Sequence, residues 1–161
     1  MTIKKYYNIA KTKLFPITRS LTGDGVRKTL NIIQKEFPKL KIKKIKSGVK
    51  VFDWKIPEEW NVTDAYVIDK FNNKIIDFKK NNLHLVGYSI PIKKNLSKKE
   101  LFKNLYFLKN QPKAIPYITS YYKRRWGFCI SYDEYNILDR RYSSNDKFKV
   151  VINSNLNKKG N

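Results

Sequence analysis

The hydrophobic pattern at the start of the chain predicts two amphipathic helices, because apolar residues recur there every three or four positions. The first helix is predicted over residues 2–14, and its stripe consists of Ile3, Tyr7, Ala10 and Leu14. The stripe of the second helix consists of Val26, Leu30, Ile33 and Phe37. Pro16 and Pro38 favour an end to each helix, and Thr22 or Asp24 is expected to cap the second helix.

After Leu40 the period changes towards alternation, which is typical of β-strands. Strands are predicted over residues 40–46, 49–54, 62–69, 74–78, 83–92, 114–119, 126–131 and 149–153. The first two are expected to form a hairpin about Ser47 and Gly48. Asn72 and Asn73 are expected to turn the chain between the third and the fourth strand.

Two shorter helices are predicted within the strand-rich part. Ser97 with Glu100 three residues later matches a capping box, and a helix is expected from there to about Leu108. A second short helix is predicted over residues 135–141. The order of elements therefore indicates an α+β chain, or an α/β protein that carries a β-rich insertion.

The chain is strongly basic, with 35 Lys and Arg against 13 Asp and Glu and a formal net charge of +22. Such a charge indicates a polyanion partner, whether nucleic acid, an anionic membrane surface or an acidic glycan. The alternative is compositional bias, because the cations are mostly lysines spread along the chain, and Asn and Ile are also abundant. The alternative is favoured, since a dedicated nucleic-acid surface more often concentrates arginine.

A single cysteine and a single histidine limit the chemistry of the chain. They allow no intrachain disulfide and no Cys/His zinc cluster, and the single cysteine suggests a reducing compartment. The sequence contains no apolar run of signal-peptide or membrane-span length. The expected location is therefore the cytoplasm, with no membrane partner.

Candidate catalytic groups are few. The TGDG segment (22–25) precedes a helix and is expected either to cradle an anion or merely to start the helix. His84 and Cys129 lie in strand-like segments, where a hydrogen-bonded structural histidine and a small core residue are expected. The densest acidic cluster consists of Asp53, Glu58, Glu59 and Asp64. These acids fall at predicted turns and strand ends, which favours solvated side chains over catalysis.

The segment YITSYYKRRWGFC (117–129) surrounds three cations with aromatic residues and ends in the single cysteine. Within it, YYKRRW is able to stack bases between cations. Aromatic residues at strand ends also fill protein cores. The segment alone therefore predicts either a polyanion platform or ordinary core packing.

Several motifs in the same order resemble the N-terminal part of the DUF4910/DUF2172 family. This family is aminopeptidase-like, is related to the M28 zinc exopeptidases, and is often encoded among surface-polysaccharide genes. The matching blocks are LFPITRSLTGDGVRKTL (14–30), KIKSGVKVFDWKIPEEWNVTDAYV (44–67), NLHLVGYSIPI (82–92), QPKAIPYITSYYKRRWGFC (111–129) and FKVVINSNL (148–156). Together they cover nearly the whole chain, and the rare Trp54, Trp60 and Trp126 are in register.

The resemblance implies an α/β zinc-peptidase core with an inserted β-rich domain. Residues 1–60 would begin the core, residues 61–131 would form the insertion, and residues 132–161 would return to the core. In such relatives a run similar to HPSLANDNLSG carries the first metal ligands, shortly after the block matched here by FKVVINSNL. This sequence contains no such run, so no catalytic residue and no metal ligand is assigned, and zinc is the cofactor of the full-length family only.

The resemblance thus implies an N-terminal fragment of an aminopeptidase-like protein, inactive alone, from a family that acts on peptide-like or amide substrates. Arg19, Tyr121, Tyr122 and Trp126 are predicted to face the substrate. The expected partner is a separately encoded C-terminal half or a second copy of the chain. The alternative is a basic single-domain module that binds polyanions, with nucleic acid not the favoured ligand.

Overall fold

The computed structural model describes residues 3–158, whose contacts divide into two compact units. Unit 1 contains residues 3–61 and 155–158, and unit 2 contains residues 62–154. Both units contain helices and strands, so the prediction of a mixed α/β fold, α+β within this chain, is confirmed. The predicted domain limits after residues 60 and 131 refer to the larger family architecture and stay a prediction.

Unit 1 begins with the two predicted helices. Helix α1 spans Ile3–Ile9 and continues as a π-helical segment over Ala10–Leu14, so the predicted end before Pro16 is confirmed. Residue 2 of the predicted helix lies outside the described residues. Helix α2 spans Asp24–Glu36, and Gly23 is its N-cap. The prediction of Thr22 or Asp24 as the cap was wrong.

The hairpin of unit 1 is displaced from its predicted position. Strands β1 (Lys50–Val51) and β2 (Trp54–Lys55) pair antiparallel, whereas residues 40–46 form no strand. Gly48 turns the chain as expected, with φ of 90°. Its N–H donates to the carbonyl of Ile56 at 2.8 Å, and within residues 3–158 no strand pairs with residues 40–46. An alternating pattern of lysine and isoleucine therefore does not form a strand unless a second strand pairs with it.

Unit 1 buries few apolar side chains. Neither α1 nor α2 contains a buried residue, although α2 carries the apolar stripe predicted from its sequence. The large apolar side chains that unit 1 exposes are Ile3, Tyr7, Phe15, Leu21, Phe37, Ile45, Val49, Phe52 and Trp54. The apolar side chains of unit 1 are therefore largely exposed.

Unit 2 is organised by a four-stranded sheet. Its strands are β3 (Glu59–Ile68), β4 (Lys74–Asp77), β5 (Ile92–Ser97) and β8 (Lys147–Asn157), and they lie in the order β4-β3-β8-β5. Strands β3 and β8 each extend into residues of unit 1. The β3–β4 hairpin turns at Asn72, with φ of 65°, which confirms the predicted turn. Strands β5 and β8 pair antiparallel, with Ile92 opposite Ile152.

The remaining elements of unit 2 are short. They are a 3₁₀ turn (Asn82–His84), α3 (Lys98–Phe102), β6 (Leu105–Tyr106), β7 (Phe128–Cys129) and α4 (Tyr132–Arg141). The Ser97–Glu100 capping box is confirmed, but α3 ends before Leu108. It ends early because the chain leaves the helix to pair β6 with β7, in parallel, and the carbonyl of Asn104 accepts from Phe128 N–H at 2.9 Å.

Two strand predictions in unit 2 were largely wrong. Residues 83–91 form the 3₁₀ turn and irregular backbone, and the strand begins only at Ile92. Residues 114–119 contribute one isolated bridge, between Gly87 and Thr119. The apolar residues of both segments pack into the core, but the backbone of these segments does not form regular strand-to-strand hydrogen bonding. No helix among the described residues is long and apolar enough to cross a lipid bilayer.

Candidate functional site

The clearest candidate site is the tyrosine turn, defined here as residues 117–126 of unit 2. The turn is held to the core through Gly87, whose N–H donates to Ile118 O at 2.8 Å and whose carbonyl accepts from Ser120 N–H at 3.0 Å. A side chain at position 87 would lie 3.1 Å from Thr119 Oγ1, so glycine permits this close approach. The backbone therefore presents the turn from a fixed anchor.

Four tyrosines meet at the turn. Tyr88 is buried beneath it, and its ring meets the ring of Tyr121 edge-to-face at 5.4 Å between centroids. The ring of Tyr121 in turn lies 6.1 Å from that of Tyr122, at an interplanar angle of 82°. Tyr117 and Tyr122 are 70% and 64% exposed, so they offer aromatic surface to solvent. The pKa of Tyr117 is raised by its partial burial and by the neighbouring phenols of Tyr121 and Tyr88.

The cations of the turn divide into two classes. Lys123 and Arg124 are exposed. Arg125 is half-buried, donates to Thr119 O at 3.2 Å, and places its guanidinium 5.7 Å from the centre of the Tyr106 ring. Arg125 therefore serves mainly to hold the turn, whereas Lys123 and Arg124 lie at the surface.

The predicted substrate-facing residues belong to both units: Arg19 lies in unit 1, and Tyr121, Tyr122 and Trp126 lie in unit 2. Tyr121 and Tyr122 are neighbours in the turn. Trp126 is half-buried and packs edge-to-face on the core residue Phe128 at 6.4 Å. Arg19 lies in unit 1, is exposed, and donates to Leu14 O at 2.6 Å. Their substrate-facing role stays a prediction.

The glycine-rich start of α2 does not present a free anion cradle. The N–H of Asp24 donates to the side chain of Asn61 at 2.8 Å, which satisfies one of the donors that an anion would use. Arg27, one turn later, makes two bonds to the Glu59 carboxylate, at 2.5 and 2.8 Å, and a third to Asp24 at 2.6 Å. These bonds raise the pKa of Arg27, although burial acts in the opposite direction. The Glu59 side of the pair is buried, with 2% of the residue exposed.

Arg27 also borders an apolar cavity of about 250 Å³ in unit 1. Its apolar lining consists of Leu21, Val26, Leu30, Ile42, Ile45, Trp54, Ile56 and Pro57. Thr22, Gly23, Lys43 and Lys44 also line it. The guanidinium is committed to two carboxylates, so the cavity is a continuation of the apolar surface rather than a polar site.

Two acids of the cluster noted in the sequence form ion pairs instead of remaining solvated. Glu59 is paired with Arg27, and Asp64 is paired with Lys79 at 2.9 Å. Within residues 3–158, no three His, Cys, Asp or Glu side chains lie together in a way that could hold a metal ion. The described residues therefore do not fit the zinc that the family resemblance implies.

His84 and Cys129 have structural roles, as predicted. The Nδ1 atom of His84 lies 2.8 Å from the carbonyl oxygen of Cys129. Cys129 is fully buried, and burial raises the pKa of its thiol to about 12. At neutral pH the thiol is protonated and shielded, so it is not a nucleophile.

A buried carboxylate that the sequence did not reveal organises the β3–β4 turn. Asp69 accepts hydrogen bonds from Tyr142 Oη at 2.7 Å, Phe71 N–H at 2.9 Å and Asn73 N–H at 2.8 Å. Burial acts to raise the pKa of Asp69, but these hydrogen bonds together lower it below its usual value. The network joins the turn to the end of α4 and identifies Asp69 as a structural group.

Replacement of Tyr142 by phenylalanine is expected to destabilise the chain by about 2 kcal/mol, since a buried carboxylate loses a hydrogen bond. Asp69 stabilises the fold above its unfolded pKa of about 3.9, and this contribution is lost as pH falls through the lower folded pKa. Without Tyr142 Oη the folded pKa rises, so acid unfolding followed by circular dichroism should begin at higher pH. Tyr117→Phe, at an exposed position, should leave the acid midpoint unchanged. Equal midpoints for Tyr142→Phe and the parent chain would contradict this role.

The comparisons with known proteins agree with one another. A model for a domain of unknown function, DUF2172, matches residues 59–155, nearly the limits of unit 2. A protein of Clostridium acetobutylicum described as "Putative polysaccharide biosynthesis protein with aminopeptidase-like domain" is 47% identical over 150 residues, 93% of this chain and 33% of the relative.

The fold also resembles a solved structure. The crystal structure described as a "putative peptidase" from Clostridium acetobutylicum matches with a TM-score of 0.86 and 45% identity, over 96% of this chain and 35% of that chain. The chain therefore spans about one third of the length of each of these two proteins. These matches confirm the resemblance to the DUF2172 family and to aminopeptidase-like proteins that the five sequence blocks indicated.

Proposed function

Because the chain belongs to the DUF2172 family, we propose that it forms the substrate-positioning part of an aminopeptidase-like protein of the M28 zinc exopeptidase type. In this proposal, zinc binding and hydrolysis reside in a part of the larger protein that the described residues do not include. The chain alone is then inactive. Its ligand belongs to the peptide-like or amide class.

The similarity to the solved peptidase-like structure carries this proposal. Almost the whole chain matches that structure at 45% identity, yet the match occupies only 35% of the longer chain. A catalytic zinc needs three protein ligands and an open position for water. The described residues contain no group of three such side chains, so the proposal places zinc binding outside them.

A peptidase-like protein also explains the exposed apolar surface of unit 1. Helices α1 and α2 bury no residue, and an amphipathic helix gains most of its stability from burial of its apolar face. We expect that face to pack against the remainder of the larger protein, supplied in the same chain or as a separate subunit. A second copy of this chain is the alternative partner.

The relative named for polysaccharide biosynthesis suggests the setting of this activity. An amide bond within a modified sugar or a peptide-linked glycan would suit both parts of that name. Arg19, Tyr121, Tyr122 and Trp126 remain our proposed substrate-facing residues, with Tyr121 and Tyr122 now joined in one turn.

Metal analysis and a chimera test the proposal. The purified 161-residue chain, dialysed after growth in zinc, is expected to hold no stoichiometric zinc and not to hydrolyse leucine p-nitroanilide. A chimera in which this chain replaces the matched third of the Clostridium acetobutylicum relative is expected to regain any aminopeptidase activity that the relative loses when that third is deleted. One or two tightly bound zinc ions in the chain alone would overturn the proposal, and so would an inactive, folded chimera.

A further inference from the structure

The tyrosine turn rests on a residue whose backbone conformation is strained. Tyr88 has φ of 63°, a conformation that bulky residues rarely adopt. The chain holds it there through Ser89, whose hydroxyl donates to Val86 O at 2.7 Å and whose carbonyl accepts from Ser154 Oγ at 2.7 Å. This backbone places the buried Tyr88 ring under Tyr121, which stands beside Tyr122. Strain of this kind is characteristic of functional sites.

The exposed part of the turn combines aromatic faces with positive charge. Tyr117 and Tyr122 present most of their rings to solvent, and Lys123 and Arg124 follow directly in the chain. The phenol groups add hydroxyl donors and acceptors at the edge of the same surface. Aromatic faces, hydroxyl groups and cations together suit a ligand that has apolar faces, hydroxyl groups and carboxylates.

The angle between the tyrosine rings helps to distinguish a single-stranded nucleic acid from an oligosaccharide as the ligand. Successive bases of a single strand stack on aromatic side chains face to face. The rings of Tyr121 and Tyr122 are inclined by 82°, and those of Tyr88 and Tyr121 by 88°, so neither of these two pairs offers parallel faces. The sugar rings of an oligosaccharide change orientation from one unit to the next, so inclined aromatic rings are compatible with them.

We propose that the tyrosine turn binds an acidic oligosaccharide, with sugar rings against Tyr117 and Tyr122 and carboxylates paired with Lys123 and Arg124. The proposal rests in part on the proposed function, because it names the ligand class for two residues that we assign to substrate positioning. Its test needs neither zinc nor hydrolysis. It can therefore fail while the metal and chimera results hold, and the reverse is also true.

Calorimetric titration of the full chain with a galacturonate hexamer at 50 mM salt tests the site. Binding is expected, and Tyr122→Ala should weaken it by about fivefold or more, as for loss of one stacking contact. Tyr122→Phe should retain most of the affinity. Phe71→Ala, which removes another exposed aromatic ring of unit 2, should have no effect.

Charge variants and other ligands complete the test. Lys123→Ser with Arg124→Ser should weaken binding more than the matched pair Lys93→Ser with Lys94→Ser, which removes two exposed charges from β5. A neutral maltohexaose should bind more weakly than the galacturonate hexamer. Equal losses for the two charge pairs, tighter binding of an oligo(dT) of the same charge, or unchanged affinity in Tyr122→Ala would each overturn the proposal.

Discussion

Replacement of Arg27 by alanine is expected to lower the free energy of unfolding by about 3 kcal/mol, near the lower end of the cost of breaking a buried ion pair. Glu59 is 2% exposed, so its carboxylate would remain buried without its cation. Arg27 itself is 32% exposed in its side chain, which moderates the loss. Urea unfolding of the parent chain and the variant, followed by circular dichroism, measures the difference.

Two controls isolate the ion pair. Lys5→Ala removes the partner of Glu36 on the surface of the same unit, and should cost less than about 1 kcal/mol. The double variant Arg27→Ala with Glu59→Gln should recover part of the stability lost in Arg27→Ala, because no uncompensated charge stays buried. A double variant no more stable than Arg27→Ala would show that the loss arises from packing rather than from charge.

Phe128→Ala is expected to destabilise unit 2 by about 3–5 kcal/mol, the usual cost of deleting a buried phenylalanine ring. Phe128 is fully buried, pairs with Leu105 between β6 and β7, and supports the ring of Trp126. Its loss should also loosen the tyrosine turn, since Trp126 is the last residue of that turn. Urea unfolding and the fluorescence of Trp126 report the two effects.

Phe128→Leu is the matched control for the size of the cavity. It keeps most of the buried volume and should cost clearly less than Phe128→Ala. Phe71→Ala, at a position that is 61% exposed, should leave the urea midpoint nearly unchanged. A Phe128→Ala chain as stable as Phe71→Ala would contradict the assigned core position.

Local signals allowed the sequence to predict several elements correctly. Helical periodicity located α1 and α2, because every residue of the pattern lies within one or two turns of its neighbours. The Ser97–Glu100 capping box is satisfied by bonds within four residues, so sequence alone identified where α3 begins. A second box, Ser131 with Glu134, starts α4 and was available to the same reasoning.

Structural features that depend on residues distant in the sequence were predicted less accurately. Residues 40–46 alternate like a strand, but none of the described strands pairs with them. Glu59 was grouped with other acids because its partner, Arg27, is 32 residues away in the sequence. The carboxylate of Asp69 was missed for the same reason, since the hydroxyl that satisfies it belongs to Tyr142, 73 residues later.

The candidate site was likewise predicted in its local composition but not in its three-dimensional contacts. The composition of residues 117–126 marked the segment as aromatic and basic. It did not show which rings are exposed, and Trp126 in fact packs on Phe128 while Tyr117 is exposed. Nor did the sequence indicate the support from Tyr88, because its positive φ is a property of the fold rather than of the residue type.

The two ends of unit 2 lie on neighbouring strands, β3 and β8, and Thr63 Oγ1 donates to Asn153 O at 3.3 Å. The two ends of unit 2 are therefore separated by about one strand spacing, near 5 Å, and a loop that receives this unit has to open by only that distance. The geometry of residues 62–154 is therefore compatible with insertion of this unit into a surface loop of another protein, with little change to the backbone of that loop. A glycine-rich bridge across these ends would also permit circular permutation, with new termini placed at an exposed loop.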